Sequence, residues 1–148
     1  MITMKKGLTN ILLMMAVQNI YSQNENLKFK KTINMKNTSI LVNANEHVRK
    51  GEYEAYLSYL TEDTKWVFVG ERTLLGKEAV RQYIKDFYLS PPVFDMEKAI
   101  EEGDFVTATG NIALKNVNGE YDHYSYCDIW RFDNGKLAEL KAFVIEKK

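Results

Sequence analysis

Two Asn-Gly pairs, Asn118-Gly119 and Asn134-Gly135, break the last part of the chain into long runs of β-branched and aromatic side chains. Asn-Gly takes up the left-handed backbone of a tight turn at little steric cost, so each pair marks a reversal between antiparallel neighbours. With a further turn at Glu102-Gly103-Asp104, residues 94–101, 105–117, 121–132 and 137–146 read as four successive strands of a meander. Four strands in succession cannot make the βαβ units of a dinucleotide-binding fold.

Ahead of the meander the period is helical. Ile40, Leu41, Ala44 and Val48 fall on one stripe, Thr38 or Ser39 is placed to cap its start, and Gly51 to end it. A second short helix carries Tyr53, Tyr56, Leu57 and Leu60 at the same spacing. Trp66-Val67-Phe68-Val69 is β-branched and aromatic and reads as a strand. Gly76 leads into a third helix with Ala79, Val80, Tyr83, Ile84, Phe87 and Tyr88, which Pro91-Pro92 stops. Helices first and an antiparallel sheet afterwards is an α+β order.

A chain of 148 residues, 45% hydrophobic and 27% charged, suits one core over two. Its 20 Lys and Arg balance its 20 Asp and Glu, which disfavours nucleic acid as a partner. Cys127 is the only cysteine, which rules out an intrachain disulfide and a Cys-based zinc site. There is no Gly-x-Ser-x-Gly, no phosphate-cradling loop and no histidine pair at metal spacing, so no metal and no cofactor is expected.

At the N-terminus, Lys5-Lys6 precede an apolar run ending at Val17, and polar residues follow to Ser22-Gln23. That order is that of a secretory signal peptide, too short to span a bilayer, with a Ser-Gln ending like that of some Gram-negative bacteria. Residues 1–23 are therefore expected to be a signal peptide, 24–37 a polar, basic linker and 38–148 the domain, with a periplasmic or secreted location. The alternative is a start at Met35 and a cytoplasmic domain.

A Glu-Asp-Thr-Lys-Trp strand start, a Gly-Lys-Glu-Ala-Val helix start and the ending Cys-Asp-Ile-Trp-Arg-Phe-Asp-Asn-Gly-Lys-Leu resemble the nuclear transport factor 2-like superfamily. Within it the chain is most similar to SnoaL-like proteins, the group with the polyketide cyclases, and more distantly to ketosteroid isomerases. The resemblance covers 38–148 and implies a cone: a curved antiparallel sheet wrapped around N-terminal helices. It also places Asp128, two residues before Trp130-Arg131-Phe132, where ketosteroid isomerases hold their oxyanion-stabilising aspartic acid. Their general base would fall at Phe68 and their oxyanion tyrosine at Ala44, so the familial isomerase mechanism is not expected.

Strand alternation puts Tyr124, Tyr126, Trp130 and Phe132 on the face of Asp128, with His123, Cys127, Ile129 and Arg131 on the other. Trp66 and Phe68 form the matching pair on the first strand, and Tyr56 and Tyr83 are the helix residues expected to turn a hydroxyl inward. A carboxyl among aromatic rings loses hydration, which favours its protonated form and suits it to acid chemistry near neutral pH. Asp128 is thus the candidate acid and His47, one turn after Ala44, the candidate base. Tyr56, Trp66, Phe68, Tyr83, Tyr124, Tyr126 and Trp130 are the candidate contacts for a small apolar or aromatic ligand. The competing expectation is a non-catalytic module whose cone is filled by its own side chains. Outward-facing Ile129, Phe143 and Ile145 suggest a homodimer through the convex face.

Overall fold

The computed structural model of the protein describes residues 36–147. The signal-peptide expectation, and all of the linker but its last two residues, lie outside them. Three helices, α1 (Asn37–Arg49), α2 (Tyr53–Leu57) and α3 (Lys77–Phe87), accompany six strands. These are β1 (Leu60–Phe68), β2 (Arg72–Leu75), β3 (Val93–Glu102), β4 (Phe105–Lys115), β5 (Tyr121–Asp133) and β6 (Lys136–Glu146). They form one curved, unclosed sheet in the order β2-β1-β6-β5-β4-β3. The helices cover its inner face, where Leu41, Leu57, Leu60, Ile84, Val106 and Leu137 are fully buried.

The expected meander is β3 to β6, but the sheet is mixed. β1 pairs in parallel with β6, with a register shift between Leu60 and Lys65. Residues far apart in the chain make that pairing, so no turn signal announces it. The strand at Trp66 also starts earlier than expected and folds back on β2, with Trp66 opposite Leu74.

The Asn-Gly pairs behave differently from one another. Asn134 and Gly135 both have positive φ, 48° and 75°, the pattern of a type I′ turn, and link paired Asp133 and Lys136 directly. Asn118-Gly119 instead sits in a wider loop. There the Asn116 side-chain oxygen accepts the Asn118 and Glu120 amides at 3.0 Å each. An Asx turn thus replaces the tight hairpin.

Helix α1 is not capped by Thr38 or Ser39. The amides of Asn37 and Thr38 donate to the Glu101 carboxylate at 3.1 and 3.0 Å, and the Thr38 hydroxyl donates to it at 2.7 Å. A carboxylate from β3 thus satisfies the helix N-terminus. Those hydrogen bonds, the Thr38 hydroxyl foremost, hold the Glu101 pKa below its ordinary value. At the other end Gly51, at φ +73°, makes a Schellman turn, with Glu52 N bonded to His47 O at 2.8 Å and Gly51 N to Val48 O at 3.0 Å.

Candidate functional site

Asp128 lies in the middle of β5, and strand register decides what surrounds it. Ala142 of β6 is opposite on one side and Ala108 of β4 on the other. Tyr126 and Trp130 share its face along β5. The next row holds Trp66, Leu140 and Trp130, so large rings stand beside a floor of small residues. Leu41, Asn45 and Val48 of α1, Tyr56 of α2, Ile84 of α3 and the following Tyr88 close over this surface. The cavity, open on one side, is about 110 Å³. A water needs roughly 10–15 Å³ of such space, so it holds several waters or a small one-ring molecule, and a broader one with part of it in the open mouth.

Oδ1 of Asp128 is buried and has no hydrogen-bond partner among the described residues. Burial raises the carboxyl from its ordinary pKa of 3.8 to about 7. Tyr56 and Tyr88 are raised as well, first by burial and then, among other causes, by the Asp128 charge. Burial and the same charge push Tyr126 up to about 12. Its hydroxyl donates to the Asp95 carbonyl at 3.0 Å, which fixes the ring as a wall. Trp66 stands edge-on to Tyr56, Phe68 and Trp130 at centroid distances of 6.2, 6.2 and 5.8 Å. Its Nε1 is also buried without a partner among them. Among the described residues, no Lys, Arg or His lines the cavity.

The structure brings together Asp128, Tyr56, Trp66, Phe68, Tyr126 and Trp130, and leaves three expected residues outside. His47 belongs to the Schellman turn rather than the cavity, its Nδ1 lying 2.6 Å from the Glu52 carboxylate. Leu41, Asn45 and Val48 are the α1 residues that line the cavity. Tyr83 lies behind Phe68, 5.0 Å between centroids, and stacks on Phe87 at 4.7 Å, outside the cavity wall. Tyr124 has the right parity but is opposite Glu146, the last residue of β6, beyond the part of β5 that lines the cavity.

Asn45 and Tyr88 are the polar residues that sequence reasoning missed. Asn45 was within reach of it, since it stands between Leu41 and Val48 on the apolar stripe. Tyr88 follows the last residue of α3, with φ −95° and ψ 83°, where helical spacing no longer says which way a side chain points.

Residues 42–140 match the family model of the SnoaL-like domain. The chain belongs to this family. No functionally curated protein matches it, but solved structures do. A nuclear transport factor 2-like protein of unknown function from Cytophaga hutchinsonii is 20% identical, with TM-score 0.58 over 72% of this chain and 97% of its own. A Shewanella putrefaciens protein assigned as a SnoaL-like polyketide cyclase is 13% identical, with TM-score 0.66 over 76% and 82%. An epoxide hydrolase/cyclase-like enzyme of pyran ring formation in the polyether salinomycin is 17% identical, with TM-score 0.68 over 73% and 89%. At these identities the likeness is one of fold. In this SnoaL-like domain the Phe68 ring is part of the cavity wall, and Ala44 is fully buried outside the lining.

Proposed function

We propose that this SnoaL-like domain binds a small, flat, mostly apolar molecule, with Asp128 as its polar anchor and as the acid of a lyase-, isomerase- or cyclase-type reaction. The observation that carries the reading is the Asp128 carboxyl, with Oδ1 unpartnered, in an aromatic-walled cavity. A carboxyl with pKa near 7 exists in both forms at neutral pH, so one group can give a proton to a ligand oxygen and take one back. That matters because, among the described residues, no histidine and no second carboxylate lines the cavity. Among proteins of the same fold are the cyclase-like enzyme of pyran ring formation and a protein co-crystallised with polyporic acid, which suits a cyclic or aromatic ligand.

Substituting the acid tests this. Asp128→Asn keeps shape and hydrogen bonding but has no acidic proton, whereas Asp128→Leu removes the anchor. Once thermal-shift screening of aromatic polyketides, steroids and terpenoid epoxides has found a ligand, Asn is expected to bind it nearly as well. Turnover should fall roughly a hundredfold, within the range of general acid catalysis. Leu is expected to lose affinity. Unchanged binding in Asp128→Leu would assign the residue to structure alone.

The proposal includes a homodimer through the outer sheet face. Phe143 and Ile145 are exposed there, with Ile129 half-buried beside them and Ile100 exposed on β3. Light scattering at micromolar concentration is expected to give twice the mass of the chain. A monomer mass would refute the dimer.

A further inference from the structure

Side chains on the inner sheet face stand in rows across the strands. One row is large: Trp66, Leu140, Trp130 and Val106. The next is Phe68, Ala142, Asp128 and Ala108. Both alanines are buried, at 2% and 3% exposure, and both line the cavity. The hollow therefore exists because methyl groups, not larger side chains, flank the carboxyl. Neighbouring strands are about 4.8 Å apart, so the Ala142-Asp128-Ala108 floor spans about 10 Å. Tyr126 and Trp130 bound it along β5, about 13 Å apart at a strand rise of about 3.3 Å per residue. A flat ring system laid on that floor meets Asp128 near its middle.

We propose that Ala108 and Ala142 are the residues that set ligand size in this domain, as a floor that admits a flat ligand broader than one ring to the Asp128 carboxyl. The inference rests on the reading of the cavity as a ligand site. A side chain larger than methyl at either position rises from the floor where the rings would lie. It crowds a two-ring ligand and leaves a one-ring ligand room to shift toward the other alanine.

Two neutral ketones serve as probes, acetophenone with one ring and 2-acetylnaphthalene with two. The chain has 2 tryptophans, and both Trp66 and Trp130 line the cavity, so intrinsic fluorescence reports on this site. Ala108→Val and Ala142→Val are expected to weaken 2-acetylnaphthalene about tenfold or more, as overpacking of a close-fitting surface does, and acetophenone less than about threefold. Ala142→Gly, which adds room, is expected to bind the two-ring ketone at least as tightly as the parent. Ala113→Val, a buried alanine outside the cavity lining, controls for strand substitution and is expected to bind as the parent does. Thermal melts identify a valine variant that fails to fold; the other valine variant and the glycine variant then decide. Equal losses for both ketones, or none, overturn the size rule while leaving the cavity reading intact. A parent that binds neither ketone overturns both.

Discussion

Raising the pH from about 4 to about 8 is expected to lower folding stability on the order of 4 kcal/mol through Asp128 alone. The folded-state pKa is about 7, raised by burial, against an ordinary 3.8 for the unfolded chain. Below the lower value both states hold the proton and the residue contributes nothing. Between the two values the folded state keeps a proton that the unfolded state has released, so stability falls by about 1.4 kcal/mol per pH unit. Above about 7 the whole penalty is present. The carboxylates with lowered pKa act in the opposite sense and in another window: Glu54, Glu62 and Glu101 lose their contribution as pH falls through their folded-state values, below 4.5. The acid limb and the Asp128 limb are therefore separable in a series of urea midpoints against pH. Asp128→Leu is expected to be flat between about pH 5 and 8 and more stable than the parent at the upper end. A parent equally stable at both pH values, or a Leu variant with the same decline, would show that Asp128 is not the desolvated acid described here.

A stability penalty of this kind also bears on function. The sheet needs no carboxyl at this point, since the Trp130 and Trp66 rings and the leucines around them make the core. On the proposed function, a residue expected to weaken the fold at neutral pH, with one oxygen unpartnered among the described residues, serves a ligand rather than the strand.

Strict alternation along β5 is why Asp128, Tyr126 and Trp130 were legible in the sequence: one assigned face fixes every other residue. The same rule misplaces Tyr124, because parity gives the side and not how far the enclosing helices extend. Helical spacing gave the inward stripe of α1 but not the Schellman turn that takes His47 for Glu52, which depends on where the helix stops. β2 is only four residues long, half of a hairpin with β1, and nearly all exposed, so it has no apolar alternation to read. The alanine floor is invisible before the register is known. Ala108 and Ala142 are unremarkable residues until pairing places them on either side of Asp128.

Gly110→Ala is expected to destabilise the protein by about 3 kcal/mol or more, at or beyond the top of the usual range for overpacking. Gly110 is opposite Met96 on β3 and Tyr126 on β5, where β3 shifts register between Met96 and Lys98. It does not have the positive φ of the turn glycines, so space rather than conformation calls for glycine. A Cβ at this position would stand 1.9 Å from the Asp95 carbonyl oxygen and 2.8 Å from the Tyr126 hydroxyl. The first contact is with backbone, which cannot swing aside as the end of a side chain can. Relief requires β3 to move away, and the Asp95 carbonyl is the group that accepts the Tyr126 hydroxyl. The methyl group is therefore expected to break the bond that fixes one cavity wall as well as to strain the strand pair. A double-mutant cycle separates the two effects. Tyr126→Phe in the parent should cost about 1 kcal/mol for the lost hydrogen bond, and clearly less in the Gly110→Ala background, where that bond is already gone. Gly110→Ala within about 0.5 kcal/mol of the parent would refute the steric argument. A Tyr126→Phe cost equal in both backgrounds would show that the carbonyl stays in place and the strain is relieved elsewhere.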